Sequence, residues 1–201
     1  MLEHLRNEPV LLATRLTAIL RFDKIACMSK VFAGMAASLD GYIQSRDKDL
    51  SWLNNSMARD EDYGFEVTAK RTGAYIIGAN TYREMASMAG GGETTPTYVL
   101  THDKSLKTNK STRLYSGDPK ELIEKIKLEI DQTKDICVFG GGEVTSQFIE
   151  LGLLDELTIS VIPVLLGDGV PFFTKLKEQK KLELIECKPF KSGIVILQYR
   201  T

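Results

Sequence analysis

Apolar residues recur along the chain in two rhythms that alternate. Strand-length stretches centred on apolar residues occupy residues 30–37, 74–78, 97–101, 113–115 and 136–139. Between them, apolar positions fall three or four residues apart, as on one face of a helix. Residues 60–71 carry Tyr63, Phe65 and Val67 in this way, with Gly73 expected as the C-terminal cap. Asn80 is placed to cap a helix bearing Tyr82 and Met85. Asp118-Pro119 opens another, with Leu122, Ile126 and Ile130 at four-residue spacing. Val144, Phe148 and Ile149 mark a helix directly after Gly140-Gly141-Gly142. The rhythm then changes. Residues 156–166 are rich in Ile, Val and Leu, residues 165–173 are turn-rich, and 182–188 with 194–199 predict a hairpin around Lys191-Ser192-Gly193. Alternation in the middle and strands at the end predict a three-layer α/β/α domain. Its sheet is mainly parallel, with an antiparallel C-terminal hairpin. No repeat or linker divides residues 29–201.

Residues 1–28 stand apart. Leu5, Leu12, Leu16, Ile19 and Leu20 would share one face of a short helix flanked by Arg6, Arg15 and Arg21. Glu3, Glu8 and Asp23 argue against a transit peptide. The segment reads as a dispensable extension ahead of a second start at Met28, or as a helix packed on the domain or on a partner. The run Gly90-Gly91-Gly92 leads to Thr94-Thr95-Pro96 and is expected in a mobile loop.

Composition narrows the classes. The 201 residues are 43% hydrophobic and 26% charged, with a net charge of −1, so no basic excess points to nucleic acid. Cys27, Cys137 and Cys187 are odd in number and far apart, which fits a reducing, cytoplasmic setting. With only His4 and His102 and no cysteine near either, no metal site is expected. No apolar run approaches the roughly 20 residues of a membrane span.

The strand, glycine turn and helix at residues 136–149 form the layout that brings bare backbone N–H groups to a phosphate. A tight strand-to-helix turn without a ligand is the alternative reading. The turns at Ser38, Gly78, Thr101 and Gly140 all follow strands, and ligands of such sheets bind at the carboxyl ends of strands.

Five segments, taken in order, resemble a known family. They are Ala37-Ser-Leu-Asp-Gly-Tyr-Ile43, Ile77-Gly-Ala-Asn-Thr-Tyr82, Tyr98-Val-Leu-Thr101, Phe139-Gly-Gly-Gly-Glu143 and Pro163-Val-Leu-Leu-Gly-Asp-Gly-Val-Pro-Phe172. Together they resemble the dihydrofolate reductase-like superfamily, in the branch of the C-terminal reductase domain of bifunctional riboflavin-biosynthesis proteins. The resemblance implies a reductase using NADPH, with NADH possible. It implies a small heterocyclic substrate, such as 5-amino-6-(5-phosphoribosylamino)uracil or a pterin, and a homodimer. It assigns Gly140, Gly141, Gly142, Glu143, Val144 and Thr145 to the cofactor, with Gly78, Asn80 and Thr81 facing phosphate. Thr101 and His102 would lie along the adenosine, and Ala36 and Ile43 would flank the nicotinamide. Many members carry Arg directly after the glycine equivalent to Gly78. Here Ala79 stands there, which removes a contact to the 2′-phosphate of NADPH; His102 or Lys104 could supply charge instead. A non-catalytic nucleotide-binding relative is the alternative from another class.

Reduction also needs a proton. Asp62, on the expected 60–71 helix, and Asp40, in the Ser-Leu-Asp-Gly turn, are the candidate acids. Each has a plainer reading, Asp62 as an acid favoured at a helix start and Asp40 as a turn former. Trp52 is a candidate for stacking on a heterocycle or for a core or lid role.

Overall fold

The computed structural model describes residues 29–87, 94–174 and 176–201. The expected N-terminal extension and the Gly90-Gly91-Gly92 run lie outside these residues. In chain order the elements are β1 Val31–Ser38, β2 Tyr42–Ser45, α1 Ser51–Ser56, α2 Phe65–Arg71, β3 Thr72–Gly78, α3 Ala79–Ser87, β4 Thr97–Leu100, β5 Thr112–Tyr115, α4 Pro119–Glu129, β6 Asp135–Val138, α5 Gly142–Glu150, β7 Glu156–Ile162, β8 Gly169–Pro171, β9 Glu183–Pro189 and β10 Val195–Arg200.

One eight-stranded sheet runs in the order β5-β4-β3-β6-β1-β7-β10-β9. β5 through β7 pair in parallel, and β10 and β9 close the far side antiparallel, as the pattern predicts. β2 and β8 form a separate antiparallel ribbon. Side chains alternate across a strand. Val31, Ala33, Met35 and Ala37 of β1 therefore face one way, into the main core with Ile126 of α4 and Phe148 of α5. Ala36 faces the other way and packs with Trp52 of α1, Ile162, Ile194 and Ile196. On that second face the Arg71 guanidinium lies 4.1 Å from the centre of the Phe32 ring. Helices thus cover both faces.

At the amino ends of the strands, Arg71 binds Asp135 (2.5 Å) and Glu156 (2.7 Å), and Lys30 binds Glu156 (2.6 Å). This staples four elements at the end opposite the expected ligand. Burial alone would raise the Glu156 carboxyl pKa, but the bonds from Lys30 and Arg71 outweigh it and hold it below the usual range.

Three local expectations are corrected. Asn80 caps no helix, because α3 follows β3 directly and already begins at Ala79. The 60–71 helix begins only at Phe65, because Asp62 closes a turn onto Gly64 N (2.9 Å) and Gly64 is left-handed at φ 84°. Gly73 is no cap but lies inside β3, where a Cβ would meet Lys134 Cβ at 2.7 Å. The glycine there serves a close approach of two segments. α1 falls where the sequence pattern marks no helix. Its single buried residue, Trp52, gives no helical period to detect. α4 is as expected, with Asp118 accepting from Lys120 N at 2.7 Å and Pro119 at its start.

Candidate functional site

The parallel strands deliver their carboxyl ends to one side, where β3 ends at Gly78 and its neighbour β6 ends at Val138. The turn after β6 and the helix after β3 meet there. A Cβ on Gly140 would lie 2.6, 2.7 and 2.8 Å from Thr81 Cγ2, Oγ1 and Cβ, and Gly140 adopts φ 125°, so only glycine fits. A Cβ on Gly78 would touch Val144 Cγ2 at 3.2 Å. Gly78, Thr81, Gly140, Gly141 and Val144 are therefore one contiguous cluster.

The three glycines divide their roles. Gly142 is buried, and a Cβ there would strike the carbonyl oxygens of Pro171 (2.6 Å) and Phe172 (2.7 Å). It seats the Pro171-Phe172 segment on the start of α5. Gly140 is buried against Thr81. Gly141 is partly exposed at φ 42°, and a Cβ there would find only Thr81 Oγ1, at 3.7 Å. Room for a ligand is centred on Gly141 and the Thr81 hydroxyl. The first hydrogen bond of α5 runs from Thr145 N to Gly141 O, so the preceding N–H groups have no intrahelical partner. Such groups at the start of a nine-residue helix are the kind that can receive an anion. Of the α5 residues assigned by resemblance, Val144 and Thr145 are buried packing residues, and only Glu143 is exposed. Contact from α5 is thus through backbone rather than side chains.

One strand out, Thr101 and exposed His102 follow β4. Thr101 Oγ1 accepts from Asp103 N (3.0 Å). Arg83 of α3 reaches across to Asp103 Oδ2 (3.1 Å) and to Asn80 Oδ1 (3.1 Å), both partners half exposed. Hydrogen bonds from Ser105 and the charge of Arg83 hold Asp103 below the usual carboxylate range. Arg83 was not singled out in the sequence. Its spacing of four residues from Ala79 was the available signal, since helical side chains at that spacing share a face and lean toward the N-terminus. On the opposite side of the glycine turn, Ala36 of β1 and Ile43 of β2 are half buried and apolar.

The two candidate acids are engaged elsewhere. Asp40 accepts from Ser38 Oγ (2.6 Å), Leu166 N (3.1 Å) and Gly167 N (2.7 Å), which locks the β1–β2 turn to the Leu-Gly-Asp-Gly turn. The Ser38 hydroxyl and these N–H groups hold its carboxyl below the usual range. An acid held ionised is a poor proton donor, so these bonds favour the turn-forming reading of Asp40 over the catalytic one. Beside it, Ser45, Arg46, Asp47, Leu166, Gly167 and Asp168 wall an open depression of about 510 Å³. Asp62 is exposed, and its carboxylate bonds the turn at Gly64. Neighbouring Glu61 ties its loop to the C-terminal hairpin by accepting from Lys191 N (2.7 Å) and Ser192 N (3.1 Å). The Cys137 thiol is buried and pushed up to about 12, so it supplies no thiolate. Among the described residues there is no cluster fit for a metal ion and no helix long and apolar enough to cross a membrane.

This arrangement defines an α/β protein with a glycine turn at the carboxyl ends of a mainly parallel sheet. Residues 29–196 match the family described as the RibD C-terminal domain, and the chain belongs to that family. Two Bacillus subtilis (strain 168) proteins, uncharacterized proteins YyaP and YwjB, are each 26% identical to it. The first matches over 85% of this chain and 94% of its own length, the second over 80% and 91%. Among solved structures, a protein provisionally assigned to riboflavin biosynthesis from Shewanella sp. PV-4 superposes with a TM-score of 0.76 at 24% identity, covering 85% of this chain and 98% of that one. A diaminohydroxyphosphoribosylaminopyrimidine deaminase/5-amino-6-(5-phosphoribosylamino)uracil reductase from Thermotoga maritima superposes at 0.63 and 16% identity. That match covers 86% of this chain and 56% of the other. These structural likenesses show the fold.

Proposed function

We propose that the chain is an NAD(P)H-dependent reductase of a small heterocyclic substrate. The observation that carries this is the opening at Gly141 and Thr81, where unpaired N–H groups of α5 meet the end of β3 in a RibD C-terminal family member. Gly141, Thr81 and the first turn of α5 would hold the pyrophosphate. The charged Arg83–Asp103 side would take the adenosine end, and the apolar Ala36 side the nicotinamide. The cofactor supplies a hydride; the chain's own residues orient the reactants and exclude water. NADPH is the preferred cofactor, because Arg83 offers a cation where Ala79 leaves space, and NADH is the alternative.

The substrate favoured by likeness to the Thermotoga protein is 5-amino-6-(5-phosphoribosylamino)uracil, with a pterin as the alternative. The same reading makes the protein a cytoplasmic homodimer. Edge strand β9 is exposed along its whole length, with Leu184 at 53% and Ile185 at 44%, and offers a surface for a second copy. A specific observation favours a second reading, a non-catalytic nucleotide binder: both candidate acids are bound in turns. Titration with NADPH and NADH tests both readings, and binding of neither removes them together. If NADPH binds, loss of its absorbance with the uracil substrate or dihydrofolate selects the reductase, and no turnover of either selects the binder.

A further inference from the structure

We infer that Asp103 is a specificity-determining residue, the acceptor for an adenosine ribose hydroxyl of NADH, and that its pairing with Arg83 lets the chain take either nicotinamide cofactor. The inference rests on the reductase reading and names the groups that choose between the two cofactors. Ala79 opens α3 directly after Gly78 and brings no charge to the end of β3. The first cation on α3 is Arg83, one turn on, and its side chain leans back toward the helix start. There it meets an anion. Arg83 Nη2 donates to Asp103 Oδ2 at 3.1 Å, and Nη1 donates to Asn80 Oδ1 at 3.1 Å. β3, α3 and β4 form a parallel βαβ unit in which Gly78 and Leu100 are register partners. Thr81 lies at the start of its helix, and Asp103 lies just past the end of its second strand. In dinucleotide-binding βαβ units, an acid about 20 residues past the glycine turn accepts from the ribose 2′-hydroxyl, whereas an arginine nearby takes a 2′-phosphate. Asp103 follows Gly78 at a comparable distance along the chain. Both groups are present here, and they hold each other.

Each partner is also fixed from its own side, so one can leave without the other moving. Asp103 Oδ1 accepts from Ser105 N (2.9 Å) and Ser105 Oγ (2.6 Å), and Thr101 Oγ1 accepts from Asp103 N (3.0 Å). These bonds hold the carboxylate in its turn with Oδ2 facing Arg83. Arg83 is tied to its own helix through Asn80. The two side chains are 49% and 40% exposed, and an ion pair this open is weak. A 2′-phosphate offers the guanidinium stronger, two-pronged bonds, so it draws Arg83 away, but it then faces the charge of Asp103. A ribose hydroxyl instead donates to Asp103 Oδ2 and leaves the pair in place. The two effects oppose each other, so the lead of NADPH over NADH is small.

The test titrates NADH and NADPH into the full chain and into Asp103→Asn and Arg83→Gln, read by reduced-nicotinamide fluorescence. Asparagine keeps an acceptor oxygen for Ser105 and so keeps the turn. The parent is expected to bind the two cofactors within about tenfold of each other. Asp103→Asn should weaken NADH about fivefold, the difference between a charged and a neutral acceptor, and should tighten NADPH. Arg83→Gln should weaken NADPH about tenfold and leave NADH as tight as in the parent or tighter. A merely structural role gives one sign, since loss of the turn weakens both cofactors. That result, NADH held by Asp103→Asn as tightly as by the parent, or a parent preference far beyond tenfold overturns the inference. A parent that binds neither cofactor is the separate result that removes the reductase reading and the inference with it.

Discussion

Replacing Gly140 and Gly141 singly by alanine should separate two roles that adjacent glycines share in the sequence. At Gly140 the methyl meets two obstacles. The backbone sits at φ 125°, a region nearly restricted to glycine, which costs about 1–3 kcal/mol. The new Cβ also falls within 2.8 Å of three Thr81 atoms, one of them Cβ, which no rotamer change of Thr81 can move. Overpacking of this kind costs about 1–3 kcal/mol more. A total near 3 kcal/mol corresponds to a fall in Tm of roughly 6–12 °C for a chain of this size. At Gly141 the methyl meets only Thr81 Oγ1, at 3.7 Å, and the cost is that of the backbone alone, φ 42° and ψ 137°, about 1–3 kcal/mol. That methyl enters the space assigned to the pyrophosphate, so Gly141→Ala should weaken NADPH at least tenfold while melting above Gly140→Ala. Thermal melts and NADPH titrations of both variants give the ranking. Gly140→Ala melting like the parent, or Gly141→Ala binding NADPH as tightly as the parent, would refute the division.

Arg71→Met should cost about 3 kcal/mol at neutral pH, because it leaves Glu156 and Asp135 without their shared cation. Glu156 has a lowered folded-state pKa, so its stabilisation is complete above the ordinary glutamate range and lost as pH falls through the folded value. The difference between parent and variant in urea unfolding should therefore shrink in acid. Arg83→Ala should weaken NADPH more than NADH, and Asp103→Asn should favour NADPH by freeing Arg83; paired titrations check both. Asp40→Asn should lower stability at neutral pH, with the difference disappearing as acid protonates the parent's Asp40 through its depressed pKa. Asp62→Asn should leave kcat unchanged, and a large fall in kcat would return Asp62 to the chemistry.

The architecture was legible because its signals are local. Apolar runs bounded by turn residues mark β1, β3, β4 and β6, and Asp118-Pro119 marks the start of α4 through side-chain and ring geometry that three residues specify. Errors fell where a distant contact overrides a local preference. Gly73 reads as a cap from its neighbours, but it is glycine because Lys134 approaches it, and no local pattern encodes that. Likewise Gly142 reads as phosphate-binding beside Gly141, yet the carbonyl oxygens of Pro171 and Phe172 occupy the place of its missing side chain.

The same logic explains why the acids were the least legible part of the site. A carboxylate in a turn and a carboxylate awaiting a substrate are the same letter, and the difference is which N–H groups reach it. For Asp40 those groups belong to Leu166 and Gly167, more than a hundred residues away in the chain, and their bonds favour the ionised form over the protonated one. Leu166 and Gly167 stood among the motif residues that carried the resemblance, so the motif holding Asp40 and the motif it binds are one structural lock. Trp52 presents the reverse case. Its surroundings are apolar, which reads as core, but its N–H is left without an acceptor.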